Sequence, residues 1–600
     1  MLTKVHVEFV LPNRKSAVDS YQSFLIFKSN SNSMLSFIPM TRVFIVFLTA
    51  FILSCSNKNT PDLVLINGKV WTGESESAFE EAVAIKDNKI MAVGKTNDIN
   101  ALADSKTQII DLKGKLVTAG FNDAHIHFLS GSLGLAEVDM TNTKSPADVA
   151  ERVNLFIKNN SIKEWITGRG WQYTSFESSL PDHESLAAIP NDKPVFIKAY
   201  DGHSAWANKK ALSIACIDRH TKYAGFGEIV KDKNGEPTGT LRESAMDLVG
   251  MHVTKPTRSE KLDAIRKGMK LAASLGITSV QNADGTKEVL SLYQELLNKG
   301  ELTLRYAAAF SANENTTDAD IALFTKLKDS VGMNNPMIRA DAIKFMIDGV
   351  IESHTGYMLE PYADIPSTDP LAIGQLAVPI EKYQGTVAKL DKNGFRIYTH
   401  AIGDKGVRES LDAYEYAFKI NGKRDARHRV EHIETVSQDD IPRFAQLGVM
   451  PSMEPIHADP GTIAVWEKAI GETRLPWSFN WAAMLKSNAY LVYSSDWPAC
   501  IDINPIRGLH VAVTRRTPDG FPQEGWIVDN KISIAQAMKA YTAAGAYSSF
   551  EENLKGQIKE GQLADIIVLS QDLFTIDPMK THETKVVLTV FDGKVIYNTL

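Results

Sequence analysis

The chain has very little cysteine and no strongly basic segment. Cys55, Cys216 and Cys500 are the only cysteines in 600 residues, too few for a disulfide framework or a cysteine-rich zinc module. No run rich in lysine and arginine occurs, and a net charge of −7 is mild for this length, which argues against a nucleic-acid partner. The 44% hydrophobic and 23% charged content is that of an ordinary globular protein. The length predicts one large domain with smaller attachments.

One segment near the amino terminus does not have a globular pattern. Arg42 precedes an apolar run at residues 43–53, which ends at Ser54 and Cys55. The run is too short to span a bilayer, which takes about 20 residues, and it is typical of a secretory signal. The cysteine resembles the lipidation site of a bacterial lipoprotein, although Leu53 is a less usual residue there.

We therefore interpret residues 1–60 as an upstream extension followed by a lipoprotein-type signal. The expectation is an exported protein of the bacterial cell envelope, held on the membrane by a lipid on Cys55 and facing the periplasm or cell surface. The alternative is a cysteine buried after a hydrophobic helix.

Both ends of the remaining chain carry short β patterns. Residues 63–71 and 82–94 are apolar runs joined by turn residues, as hairpins require, and residues 564–569 and 586–597 are similar. Neither end has enough strands to bury a sheet face alone. The two ends are expected to form a small β-sandwich domain together, from residues 61–117 and 545–600.

Between these ends, strand and helix patterns alternate, which is typical of a parallel sheet. Eight apolar stretches each finish in polar residues: 115–125, 276–282, 304–310, 340–348, 395–400, 428–432, 448–454 and 489–496. Eight such units predict an α/β fold, a closed (β/α)8 TIM-like barrel, over residues 118–544. The first gap is too long for one helix and predicts an inserted subdomain at about residues 130–265.

Nitrogen- and oxygen-bearing side chains fall at the ends of five predicted strands: His125, His127, Lys344, His400, His432 and Asp496. Active sites of such barrels lie at the carboxyl ends of the strands. The period-two spacing of His125 and His127 puts both imidazoles on one face, where they can share a metal. Each of these side chains alone could be a buried structural group. Together they predict a metal site.

Several longer motifs occur in order across residues 61–600. They are Gly120-Phe-Asn-Asp-Ala-His-Ile-His127, Gly168-Arg-Gly-Trp171, Asp201-Gly-His-Ser-Ala-Trp-Ala-Asn208, Pro237-Thr-Gly-Thr-Leu-Arg-Glu243, Lys344-Phe-Met-Ile-Asp-Gly349, His400-Ala-Ile-Gly-Asp404, Arg429-Val-Glu-His432 and Ser495-Asp-Trp-Pro498. In this order they resemble the amidohydrolase superfamily, and more closely its amidohydrolase-3 branch, which includes N-substituted formamide deformylase-like enzymes.

The resemblance implies a metal-dependent hydrolase of carbon–nitrogen bonds other than peptide bonds, of the amide or N-formyl/N-acyl type. It implies one divalent ion on His125, His127 and Asp496, and a second on His400 and His432. Zinc is the expected ion, because imidazole and carboxylate ligands suit it. Metal-activated hydroxide would attack the carbonyl carbon of a small amide-type substrate, with Asp496 as general base and then acid.

Lys344 has a separate implied role. It lies in an apolar stretch, where an unpaired ammonium is costly. The resemblance implies that its amine is carboxylated and bridges the two ions. The alternative is an ion pair with a nearby carboxylate such as Asp348.

Other residues are candidate neighbours of the site. His203, Trp171, His457 and Glu454 are candidate substrate contacts, and Glu454 stands where the branch commonly has glutamine. Asp404 and Glu431 are expected to orient His400 and His432.

Two readings from other classes stay open. One is a metal-binding lipoprotein without activity, which would be expected to have lost ligands, and none is missing. The other is deamination of a heterocycle or hydrolysis of a cyclic imide on the same scaffold. A mononuclear deaminase would not need Lys344 in its strand.

Overall fold

The computed structural model describes residues 60–160, 163–500 and 502–600. Cys55 and the predicted lipoprotein-type signal therefore lie outside the described residues. Within the described part of the chain, every helix is too short or too polar to cross a membrane.

An eight-stranded parallel sheet forms the centre of the protein, and its strand order follows the chain. Its members, called barrel strands one to eight, are Phe121–Ile126, Ile277–Gly285, Arg305–Ser311, Ile338–Met346, Arg396–Ala401, Arg429–His432, Met450–Met453 and Val492–Tyr493. Nearly every residue in them is buried, as expected for parallel strands that are covered on both faces. The predicted TIM-like α/β fold is confirmed.

Hydrogen bonds just beyond the eighth strand close the barrel. The backbone N–H of Asp496 donates to the carbonyl of His125 at 2.8 Å, and that of His127 donates to the carbonyl of Trp497 at 2.8 Å. The loop that carries Asp496 is therefore joined directly to the strand that carries both histidines.

Helices cover the barrel and the attached sheets. They are Thr96–Asn100, Phe128–Gly134, Pro146–Asn159, Lys209–Ile214, Asp247–Gly250, Arg258–Ser274, Lys287–Asn298, Asp318–Val331, Ile380–Lys392, Asp404–Asn421, Ile441–Leu447, Ala464–Ile470, Trp481–Lys486, Pro505–Thr514, Ile534–Tyr541 and Ala543–Ser548. Local sequence sets several of their ends. The helix Arg258–Ser274 begins at a capping box of Thr257 and Glu260, which satisfies backbone N–H groups in its first turn.

The two ends of the chain combine into a pair of small sheets. One has six strands: Phe79–Glu80, Lys69–Trp71, Leu116–Ala119, Ile566–Leu569, Val586–Phe591 and Lys594–Asn598. The other has four: Gln108–Asp111, Leu63–Ile66, Ala82–Lys86 and Lys89–Gly94. Leu116–Ala119 pairs antiparallel with Ile566–Leu569, so both ends share one sheet. Leu65 and Val83 of the smaller sheet pack in the same core as Val568 and Leu588 of the larger one.

The stretch at residues 115–125, predicted as one strand, is two strands in two sheets. Leu116–Ala119 belongs to the terminal sheet and Phe121–Ile126 to the barrel. Gly120 lies between them, where a Cβ atom would collide with the side chain of Thr278. Glycine lets the chain pass this close to the second barrel strand, and the change of sheet cannot be read from an unbroken apolar pattern.

An inserted subdomain follows barrel strand one. Its sheet has six strands: Gly227–Lys231, Pro237–Glu243, Ser204–Ala207, Val195–Ala199, Ile166–Trp171 and Val138–Asp139. The loop after Val195–Ala199 carries Asp201 and His203 to the mouth of the barrel, where both line a cavity.

A buried ion pair connects the barrel to the terminal sheets. Arg305, on barrel strand three, donates from Nε to Asp565 at 2.6 Å and from Nη2 to the same carboxylate at 2.9 Å. The two side chains are 2% and 4% exposed. Removing one partner of such a pair costs about 3–5 kcal/mol, because a charge is left buried without compensation.

We therefore expect Arg305→Met to lower the melting temperature of the protein clearly. Arg258→Met is the control, because its partner Glu295 is partly exposed and such pairs contribute at most about 1 kcal/mol. Thermal unfolding of both variants checks this, and equal melting temperatures would contradict the assigned role of the pair.

Candidate active site

The side chains that the strand-end pattern singles out converge at one end of the barrel. The ring centroids of His125 and His432 lie 4.9 Å apart, those of His400 and His432 4.5 Å, and those of His125 and His127 5.7 Å. The barrel brings them together because parallel strands in sequence order present their carboxyl ends at one rim.

Asp496 lies at the centre of this group. Its Oδ1 is 3.5 Å from Nε2 of His125 and 3.4 Å from Nε2 of His127, and its Oδ2 is 3.9 Å from Nδ1 of His432. Burial works against the charged carboxylate, but the nearby imidazoles of His127, His125 and His432 hold the pKa of Asp496 well below its ordinary value. Asp496 is therefore an anion at neutral pH.

Lys344 faces an imidazole rather than a carboxylate. Its Nζ lies 2.9 Å from Nε2 of His125, and the residue is 7% exposed. Burial lowers the pKa of its amine, which favours the neutral form. Asp348, the alternative partner, instead accepts backbone N–H groups of Tyr357 at 2.8 Å and Gly403 at 2.9 Å. Among the described residues, no carboxylate lies within 4.0 Å of Nζ of Lys344.

Buried polar atoms without a partner mark the space between these groups. Nε2 of His432, Nε2 of His457 and Oδ1 of Asp496 have no hydrogen-bond partner within the described part of the chain. Such atoms cost about 1–3 kcal/mol each when left unsatisfied. Imidazole nitrogens and a carboxylate oxygen are ligands that zinc and similar divalent ions take.

Two sets of ligand atoms that include Asp496 fit a metal ion. One consists of His125, His127 and Asp496, and the other of His432, His457 and Asp496; within each set the ligand atoms lie within 4.8 Å of one another. The donor set and the unpaired buried atoms therefore suit a divalent cation.

Carboxylates behind the histidines fix their orientation. Glu431 Oε2 is 2.7 Å from Nδ1 of His125, Glu454 Oε2 is 2.9 Å from Nδ1 of His432, and Asp284 is 3.3 Å from Nδ1 of His127. Such partners set the tautomer and the ring orientation of a metal-binding histidine.

The predicted partners of His400 and His432 differ from the observed ones. Glu431 contacts Nδ1 of His125 at 2.7 Å, whereas Nδ1 of His432 lies 2.9 Å from Glu454. Asp404 accepts the backbone N–H of Leu359 at 2.8 Å. His400 Nε2 lies 3.1 Å from the carbonyl oxygen of Gly349.

Asp284 is a site residue that the predicted strand ends leave out, although its spacing in the sequence could have indicated it. The predicted second strand ended at Asn282, whereas the observed strand continues to Gly285. Asp284 is two residues beyond Asn282 and therefore points to the same face.

The backbone is strained at and next to His432 and at Asp496. His432 has φ 74°, Ile433 has φ 52° and Asp496 has φ 55°. Positive φ is a genuine outlier for a β-branched residue such as Ile433, and each such residue costs about 1–3 kcal/mol. Strain of this kind clusters at functional sites.

Two of the candidate substrate contacts line the cavities at the site. His203 lies with its ring centroid 5.3 Å from that of His400, and its Nδ1 is 2.8 Å from Glu243. His457 Nε2 is 3.7 Å from Asp496, and its Nδ1 is 3.2 Å from Glu434. Although burial lowers the pKa of both histidines, the adjacent carboxylates raise it to about 9.

The other two candidates lie elsewhere. Trp171 is fully buried in the core of the inserted subdomain, and its indole N–H donates to the carbonyl of Ile197 at 3.1 Å. Glu454 is buried behind His432 and also accepts the hydroxyl of Ser494 at 2.8 Å. Trp171 therefore belongs to a packed core, and Glu454 positions His432 rather than lining the cavity.

An open cavity of about 700 Å³ leads to this group of side chains. His127, His203, Lys344 and Asp496 line it, together with Arg169 of the inserted subdomain. This volume is in the range of small-molecule sites.

Comparison with known proteins adds to this geometry. A model of the amidohydrolase family matches residues 108–597. The chain is 30% identical over 546 residues to Protein LONG AFTER FAR-RED 3 of Arabidopsis thaliana, covering 89% of this chain and 91% of that protein. It is 24% identical to the N-substituted formamide deformylase of Arthrobacter pascens, covering 89% of this chain and 98% of that enzyme.

A solved structure is similar over the same extent. The crystal structure of an uncharacterized metal-dependent hydrolase from Pyrococcus horikoshii OT3 aligns with a TM-score of 0.68 and 25% identity, covering 86% of this chain and 99% of that one. These similarities span the barrel and the attached sheets together.

Proposed function

The chain belongs to the amidohydrolase family, and we propose that it hydrolyses the amide bond of a small N-formyl or N-acyl compound. Family membership makes it a hydrolytic enzyme that acts on carbon–nitrogen bonds, as the motifs predicted. The observation that carries the proposal is the convergence of histidines around Asp496, with buried ligand atoms that have no hydrogen-bond partner among the described residues.

We propose two divalent ions, with zinc as the expected metal. His125, His127 and Asp496 would hold one ion, and His400 and His432 the other, with a carboxylated Lys344 between them. Lewis-acid activation is the chemistry that such ions supply: it makes water nucleophilic near neutral pH and polarises a carbonyl oxygen. His457 is a further candidate ligand, because its Nε2 lies 3.7 Å from Asp496 and has no hydrogen-bond partner in the part of the chain that the structure describes.

The side chains of the site then have distinct roles. Asp496, an anion held between imidazoles, accepts the proton of the attacking water and returns it to the leaving nitrogen. Glu431 and Glu454 hold the rings of His125 and His432 in place. His203, kept charged by Glu243, contributes a positive charge to the cavity wall.

Amide hydrolysis is favoured over the alternatives on the same scaffold. The formamide deformylase relative covers nearly the whole chain, and the position of Lys344 against His125 suits a binuclear site. We propose to incubate the metal-loaded protein with N-formyl, N-acyl and cyclic amides and with amino-heterocycles. Release of the free amine supports the proposal. Ammonia from heterocycles without any amine release would contradict it.

Glu454 provides a test of the contact that orients the imidazole of His432. Glu454→Ala should lower metal affinity by about 10–100-fold, because the imidazole loses the group that sets its orientation. Glu454→Gln is the matched control: its carbonyl oxygen can still accept from Nδ1 of His432, so its metal affinity should stay close to that of the wild type. Competition with a chelator measures both. Equal affinities in the two variants would show that the contact is not needed.

We also retain the proposal that a lipid on Cys55 anchors the protein to the bacterial cell envelope, supported by the apolar run that precedes this cysteine. The Cys55→Ala variant should either leave the membrane fraction or keep its signal uncleaved. In both cases it should no longer be labelled by palmitate. Cys216→Ala is the control, because this exposed cysteine lies in the inserted subdomain. Label that persists in Cys55→Ala would contradict the anchor.

A further inference from the structure

Arg169 is a cation in the wall of the catalytic cavity. It lies on the strand Ile166–Trp171 of the inserted subdomain and lines the same cavity as His127, His203 and Asp496. Within the described residues, no carboxylate lies within 4.0 Å of its guanidinium, in contrast to Arg242 on the same sheet, which pairs with Glu228 at 2.7 Å. A partly buried charge without a partner is costly.

One neighbour increases this cost, and two nearby carboxylates form hydrogen bonds elsewhere. Lys198, in register with Arg169 on the adjacent strand, places a second cation beside it, and like charges directly opposite each other in a sheet repel. Asp139, in register on the other side, accepts the backbone N–H of Thr141 at 2.8 Å instead. Asp201, which also lines the cavity, accepts the hydroxyl of Tyr173 at 2.8 Å and the N–H of His203 at 3.0 Å.

The guanidinium is nevertheless held in a defined position. Its Nε donates to the carbonyl of Tyr200 at 3.2 Å. Gly202, at φ +81°, packs against it so closely that a Cβ atom there would collide with Nη2. The loop at residues 200–203 therefore orients Arg169 through Nε and leaves the Nη1 and Nη2 donors for a ligand. Arginine presents these donors as a fork that matches a carboxylate.

We infer that Arg169 binds a carboxylate on the substrate, so that the compound hydrolysed is an N-acyl amine that carries an anionic group away from the bond that is cleaved. This inference rests on the proposed amide hydrolysis. It names the class of compound that the cavity accepts, and it makes Arg169 a specificity-determining residue supplied by the inserted subdomain.

The test compares two substrates that differ in charge alone. One is an N-formyl amino acid, and the other is its neutral carboxamide. Their affinities for the metal-loaded protein are measured as KM where amine is released and as a calorimetric Kd where it is not. Wild type should bind the carboxylate at least about 10-fold more tightly, because a charge-assisted bidentate contact is strong.

Three variants locate the source of that preference. Arg169→Gln should abolish the preference for the carboxylate. Its affinity for the neutral compound should change by less than about threefold, because that compound does not need the paired guanidinium donors. Its metal content should stay unchanged. Arg169→Lys keeps a charge without the fork and should give an intermediate preference, so it carries the test if Arg169→Gln does not fold. Arg242→Gln, the matched control, should keep the full preference.

The inference is overturned if wild type shows no preference, or if the preference persists in Arg169→Gln. Equal weakening of both compounds in Arg169→Gln also overturns it, since that result indicates a structural role. A different result would contradict the proposed hydrolysis alone: neither compound releases amine, while the preference for the carboxylate still depends on Arg169.

Discussion

The Lys344→Ala variant should lose most of its bound metal, and its turnover should fall by more than about 10²-fold. This loss is larger than the effect of about 10–100-fold that is expected when a residue that only orients a metal ligand is changed. The physical reason lies in the surroundings of Lys344. Its amine is buried, its pKa is lowered by that burial, and it lies 2.9 Å from an imidazole nitrogen. A neutral amine can add to carbon dioxide and lose a proton to become a carbamate, which would supply two oxygens to the proposed ions.

Small acids provide the decisive part of this experiment. Formate, acetate or propionate should partly restore both metal content and turnover in Lys344→Ala, because a free carboxylate can take the place of the carbamate. Lys344→Arg, whose side chain fills that place, should not be rescued. Lys555→Ala is a control, since this lysine is also buried but pairs with Glu551 at 3.2 Å outside the site; added acid should have no effect on it. Two metals and normal turnover in Lys344→Ala without acid would exclude the bridge.

Asp496→Asn should lower turnover by about 10²–10⁴-fold, because the amide keeps the shape of the side chain but cannot accept the proton. Asp496 lies within 3.9 Å of nitrogens of His125, His127 and His432, so metal content must be measured alongside turnover. Asp502→Asn is the matched control, because the carboxylate of Asp502 accepts the backbone N–H of Asn504 at 3.0 Å and is not among the residues that line the cavity at the site. Near-normal turnover of Asp496→Asn with metal bound would show that another group accepts the proton.

The sequence predicts the barrel and its ligand-bearing rim for a clear physical reason. Parallel strands are buried on both faces and therefore appear as apolar runs, and a side chain that ends such a run faces the rim. His400, His432 and Asp496 could be placed on this basis. Lys344 could also be singled out, because a charge inside an apolar strand needs an explanation.

Contacts between distant segments could not be predicted in this way. Glu431 reaches across the barrel to His125, and a one-dimensional pattern does not show which strand lies opposite which. Trp171 and Arg169 are two residues apart in one strand, yet one is buried in a core and the other lines the cavity. That difference depends on a bulge at this strand and on how the inserted subdomain covers the barrel.

The metal content of the purified protein tests the proposed binuclear site most directly. It is measured by elemental analysis and plotted against the rate of amine release during stepwise chelation and reloading. We expect about two divalent ions per chain at full activity, loss of activity as the ions are removed, and recovery with zinc and bicarbonate together. Full amine release by protein stripped of metal would contradict this expectation.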